Sequence, residues 1–152
     1  MFKHALFIVF LTFISLSPLM ALKEKPSNYF IDGGYVIGGY DPVSYFTEGK
    51  AKKGDKSYAV TENGVTFLFS SQKNKDLFTA NPGKYEPEYG GWCAYAIGAE
   101  AEKVEIDPKT FKIRNGKLYL FYNFFFNNTL KTWNKDEENL NAKADQNWKK
   151  FQ

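Results

Sequence analysis

Cys93 is the only cysteine of this 152-residue chain, set in the run Gly90-Gly91-Trp92-Cys93-Ala94-Tyr95-Ala96. A thiolate is at once a nucleophile and a soft metal ligand, so this side chain could serve redox chemistry or hold an ion such as copper. With no second cysteine there is no Cys-x-x-Cys pair, which argues against an oxidoreductase that works alone. A metal site built on one sulfur needs further ligands. Asp41, Tyr45 and Tyr95 are candidates, but hard oxygens and a thiolate prefer different ions. Cu(I) would then require a second chain or a small thiol. If the glycine pair leads into a helix, the thiol falls in its first turn, where unpaired amides favour the thiolate. Trp92, Ala94 and Tyr95 equally suit a buried, inert cysteine, since free cysteine is among the most buried residue types.

The segment before this domain decides its compartment. Met1-Phe2-Lys3-His4 gives a cationic start, an apolar run extends from Ala5 to Ile14, and Pro18 precedes Ala21. That is the layout of a cleavable export signal over residues 1–21, too short for a comfortable membrane span. The rest of the chain is expected in the periplasm or secreted, with no stable membrane span. Cleavage removes His4, Met1 and Met20, the only histidine and both methionines. A Ser-His-Asp or Cys-His mechanism within one chain is thereby excluded, as are His-rich and Met-rich metal sites. The composition points away from an enzyme.

The net charge of +3 falls to +2 once Lys3 is lost, and the bases are scattered, which gives no support to a nucleic-acid partner. Glu86, Glu88, Glu100, Glu102 and Glu105 read as solvated charges. Fifteen Phe, ten Tyr and three Trp supply enough apolar surface for one domain without disulfides.

The elements that must position Cys93 follow from periodicity. Residues 22–38 read as a polar leader running into a short extended piece, and 39–152 as a single domain. Asp41-Pro42 starts one helical turn through Phe46. Tyr58 and Val60, then Val65, Phe67 and Phe69, alternate on either side of Asn63-Gly64, which predicts a hairpin. Phe111, Ile113, Leu118 and Leu120 around Asn115-Gly116 predict a second. Ser70-Ser71 caps a helix over about 72–79, and Asn81-Pro82 ends it. The tail from Asn123 holds two helical patterns. Leu140, Ala144 and Trp148, spaced by four, share one face of the second. Phe124, Phe125 and Phe126 cannot all face one core from one helix; a continuous core under two layers is the default reading, and an exposed ring marking a contact surface the alternative. No internal repeat beyond the two hairpins is evident. The sum is an α+β fold, a small antiparallel sheet from the two hairpins covered by helices, with a helical C-terminal tail.

Tyr40-Asp41-Pro42-Val43-Ser44-Tyr45-Phe46, the Tyr58-Ala59-Val60 strand, Val65 to Ser71 and Asn81-Pro82-Gly83-Lys84-Tyr85 together resemble the YHS domain over residues 39–86. The Gly90 to Ala96 run and the segment from Asp145 to Trp148 extend the likeness to an exported bacterial branch of that family. The resemblance implies heavy-metal handling, copper above all, through cysteines placed after Asp-Pro-Val and around the second hairpin strand. Here those places hold Ser44, Ser70 and Asn74, and hydroxyls and amides do not replace thiolates for a soft ion. The same resemblance implies a redox-active or metal-binding chalcogen at Cys93, some relatives carrying selenocysteine there. Three readings stay open: a soft-metal (copper) module using Cys93, a thiol-redox protein with a separate redox partner, and a non-catalytic interaction domain with an inert cysteine. Its oligomeric state is left open.

Overall fold

A short ladder of β1 (Ile31–Asp32) and β2 (Tyr35–Val36), turning on Gly33-Gly34, opens the part of the chain, residues 28–152, that the computed structural model describes. The segment read as an export signal, with His4 and both methionines, lies outside the described residues. From residue 28 the segment read as a leader belongs to the fold: Val36 and Ile37 are fully buried, and Phe30 N–H donates to the Gly90 carbonyl at 2.9 Å.

Asp41-Pro42 leads into α1 (Ser44–Thr47), a single turn. The first Asn-Gly hairpin follows as β3 (Asp55–Glu62) and β4 (Val65–Phe69), with Asn63 at φ 50° and Gly64 at φ 78°, the pair of positive angles that suits the twist of the strands. Next comes α2 (Gln72–Ala80), capped by Ser71, whose hydroxyl accepts from Asn74 N–H at 3.2 Å. After α3 (Pro82–Tyr85) and the turn at 88–91, α4 (Ala94–Glu100) carries the residues after Cys93. The second hairpin, β5 (Asp107–Arg114) and β6 (Lys117–Phe121), turns on Asn115-Gly116. A small hairpin, β7 (Asn123–Phe124) and β8 (Asn127–Asn128), precedes α5 (Thr129–Trp133) and α6 (Glu137–Trp148). The fold is α+β with a helical C-terminal segment, as the periodicity implies. Each Asn-Gly hairpin closes as an antiparallel ladder of its own.

The chain does contain an internal repeat, contrary to the reading of the sequence, at a constant offset of 52 residues. Ile37-Gly38-Gly39 have φ of 47°, 63° and 73°; Tyr89-Gly90-Gly91 have 54°, 63° and 89°. Tyr40 N–H donates to Ile37 O as Trp92 N–H does to Tyr89 O. Asp41 N–H donates to Lys52 O at 2.8 Å, and Cys93 N–H to Val104 O at 3.0 Å. The hairpins agree in length, in turn and in irregularity: the register slips between Asp55 and Ala59 in one and between Asp107 and Phe111 in the other. In the sequence the similarity survives mainly at the turn glycines and asparagines, because most other side chains of the two copies differ. Cys93 thus occupies the place that Asp41 holds in the first repeat.

The copies differ after the hairpin. From the end of β4 to the cap of α2 the chain runs from Phe69 to Ser71, whereas from the end of β6 to the cap of α5 it runs from Phe121 to Asn128, about five residues more. The extra length is the β7–β8 hairpin with its three phenylalanines.

Buried side chains form two adjoining clusters. One joins Phe67, Phe69 and Phe78 of the first repeat to Cys93, Leu118 and Leu120. The other gathers Tyr89, Ile97, Phe121 and Trp133 under α6, with Leu140 and Ala144 on the inward face. Among the described residues no helix is long and apolar enough to cross a membrane.

Candidate functional site

Asp41 is fully buried at the head of the first repeat, and its carboxylate accepts five hydrogen bonds. Oδ1 takes Val43 N–H (2.8 Å) and Ser44 N–H (3.3 Å). Oδ2 takes Ser70 N–H (2.8 Å), Ser70 Oγ–H (2.6 Å) and the Asn74 amide (2.7 Å). All five donors are neutral, so the charge is held by oriented dipoles, as in a loop that cradles an anion. Ser44 Oγ sits between the carbonyls of Asp41 (2.8 Å) and Lys50 (2.9 Å). Ser44, Ser70 and Asn74, the places that the resemblance compares with metal-binding cysteines, do converge in space. What they converge on is Asp41, and their polar atoms are engaged in holding it.

Cys93 is the N-cap residue of α4 rather than a member of its first turn, and its side chain makes no capping bond. Its Sγ turns to the far end of the second hairpin, where Tyr122 N–H donates to it at 3.3 Å and Thr129 Oγ1 lies at 3.5 Å. The Thr129 hydroxyl donates to Tyr122 O at 2.9 Å, so its proton is taken. The hydrogen between sulfur and Oγ1 must then come from the thiol: S–H donates to Thr129 Oγ1 while Sγ accepts from Tyr122 N–H. Tyr122 N–H is the counterpart of Ser70 N–H, and Ala96 stands where Ser44 does. The hub of the second repeat is a buried sulfur set between Tyr122 N–H and Thr129 Oγ1.

Above Cys93 a depression of about 320 Å³ opens, walled by Tyr95, Ala96, Val104 and Tyr122, with Glu100 and Asn127 lining it and Cys93 and Thr129 at its base. Cys93 is nonetheless 0% exposed. Of the three oxygen candidates, Tyr95 alone lines this depression. Asp41 is held by its five donors, and the Tyr45 hydroxyl, pushed well above its ordinary pKa by burial, donates to Pro108 O at 2.8 Å. The donors around the sulfur are hydroxyls, an amide side chain and one carboxylate. That set does not fit a soft ion, and among the described residues no three His, Cys, Asp or Glu side chains gather as a metal site.

The sequence missed the Asp41 hub and its equivalence with Cys93. The signal that could have found them is the shared spacing of 52 between the two Gly-Gly pairs, 38–39 and 90–91, and between the two Asn-Gly pairs, 63–64 and 115–116. A second polar link was also invisible: Tyr89 Oη–H donates to Asp145 Oδ1 at 2.8 Å, and Asn141 donates to Asp145 Oδ2 at 3.0 Å. Compared with known proteins, the chain matches no family model, no curated protein and no solved structure.

Proposed function

We propose that the chain is an exported, YHS-like, non-catalytic interaction domain in which Cys93 is a structural hub rather than a ligand or a nucleophile. The observation that carries this reading is the pairing of the thiol. A sulfur that is 0% exposed, donates to Thr129 and accepts from Tyr122 N–H is employed in closing the second repeat, as Asp41 closes the first. The copper reading has one soft donor and only oxygens or amides around it, so it is not favoured by the donor set. One observation favours the thiol-redox alternative, the depression that ends on Cys93.

Thiol accessibility separates these readings. In the purified mature protein a chromogenic disulfide reagent should label Cys93 slower than in urea-unfolded chain by about 10³-fold or more, because a domain of ordinary stability opens that rarely. Cu(I) titrated against a competing chelator should bind wild type and Cys93→Ser alike. Rapid stoichiometric labelling of the folded protein would establish the redox reading, and copper uptake lost in Cys93→Ser would establish the metal one.

A further inference from the structure

We infer that the β7–β8 hairpin is a self-association element: two copies of this chain pair by each inserting Phe125 and Phe126 into the depression above Cys93 of the other. This deepens the interaction-domain reading and rests on it, naming a second copy as the partner.

Three observations lead there. First, the two rings at the tip do nothing for the fold. Phe125 is 91% exposed and Phe126 111%, with Phe124 partly exposed beside them. Their backbones sit at φ 51° and 63°, a turn geometry that Asn63-Gly64 and Asn115-Gly116 supply elsewhere in the chain with residues suited to it. A β-turn of two phenylalanines at positive φ is strained, and a sequence shaped by folding alone would place Asn-Gly there. The hairpin is also the segment by which the second repeat exceeds the first.

Second, the depression is the counterpart of a space that the first repeat fills with its own side chains. There Ser44 and Asn74 close over Asp41. In the second repeat Ala96 replaces Ser44, and the polar side chain meeting Cys93 is Thr129 alone, so the space stays open and its walls are mainly apolar. An apolar cavity of about 150 Å³ accommodates benzene, so the 320 Å³ here takes two rings.

Third, knob and socket lie side by side. Asn127, the residue after Phe126, and Thr129 both line the socket. A projecting tip next to a matching recess on one face is self-complementary under a twofold axis, and both insertions form at once. The charges agree: α5, which begins beside the socket at Thr129, carries Lys131, and Lys135 follows it, while Glu100 lines the socket. Four phenylalanines at roughly 200 Å² each, with the walls they cover, bury about 1,200–1,600 Å² in all, the size of a specific interface.

The test is sedimentation of the mature protein between about 1 and 200 μM, a range that brackets the weaker end of affinities for interfaces of that area. The wild type should shift from monomer to dimer. Phe125→Asn/Phe126→Gly, which relieves the turn and removes the knob, should stay monomeric with Tm unchanged or raised, and Val104→Lys should block the socket and give the same loss with the hairpin intact. A wild type that is monomeric throughout, or a dimer that survives either variant, overturns the pairing. So does a monomer that instead binds vesicles containing anionic lipid through Phe125 and Phe126, which would make the tip a membrane contact. Labelling of Cys93 measured on the Phe125→Asn/Phe126→Gly monomer reports the interaction-domain reading separately: slow labelling with no dimer defeats only the pairing, and fast labelling defeats the reading beneath it.

Discussion

Asp41 and Cys93 occupy equivalent places with unequal chemistry, and the difference sets what each is worth to the fold. The carboxylate gathers five donors from three chain segments. In Asp41→Asn one end of the side chain becomes an NH₂ group that faces donors, leaving two or three buried N–H and O–H groups unpaired. The expected loss is about 3–5 kcal/mol, read as a lower urea midpoint at constant slope. Sulfur is a weak acceptor and a weak donor, so Cys93→Ala should cost only about 1–2 kcal/mol by leaving Tyr122 N–H and Thr129 without it. Equal losses for the two substitutions would sink the view that these hubs differ in strength. Neither hub was visible to local pattern. The partners of Asp41 in the hairpin and α2 lie 29 and 33 residues away, and those of Cys93 lie 29 and 36 away, so tertiary folding alone brings them together.

Elements were legible where local chemistry specifies them. Both Asn-Gly turns, the serine cap of α2 and the inward face of α6 at Leu140 and Ala144 stand where spacing places them. The phenylalanine triplet was poorly legible: a continuous core was the default and one exposed ring the alternative, yet two stand free, because no turn rule anticipates aromatic residues at positive φ. Close packing between elements is equally silent in the sequence. Gly98 in α4 faces the α6 backbone, where an added Cβ would fall 2.5 Å from Leu140 O. Gly98→Ala should therefore push the two helices apart and cost about 1–3 kcal/mol, although alanine is the better helix former by about 1 kcal/mol. Gly83→Ala in α3, with nothing within 4 Å of the new methyl, is the control and should be neutral or slightly stabilising. Thermal melts of the two variants decide it. A Gly98→Ala protein as stable as Gly83→Ala would mean that α4 and α6 yield freely.

At the scale of the molecule, two buried phenols tie separate parts together. Tyr45, next to the first hub, reaches Pro108 at the start of the second hairpin, and Tyr89, in the second repeat, reaches Asp145 on α6. Burial is the main cause that raises both above the usual tyrosine range, and for Tyr89 the Asp145 carboxylate adds to it. The sign of the pH dependence follows from where the protons sit. Above pH 10 the unfolded chain releases both protons while the folded chain keeps them, so the native state binds more protons and stability falls as pH rises. The contribution is complete below about pH 10, the ordinary tyrosine value, and declines above it by about 1.4 kcal/mol per pH unit for each phenol. Tm should thus be flat from pH 7 to about 9.5 and drop steeply beyond. Tyr45→Phe and Tyr89→Phe each lose a hydrogen bond worth about 1 kcal/mol at pH 7, yet each should flatten the alkaline limb by one proton's slope. Lysines also titrate there, so the difference between variants and wild type is the quantity to compare. If the double variant Tyr45→Phe/Tyr89→Phe declines as steeply as wild type, these two phenols are not what holds the repeats and α6 together against alkali.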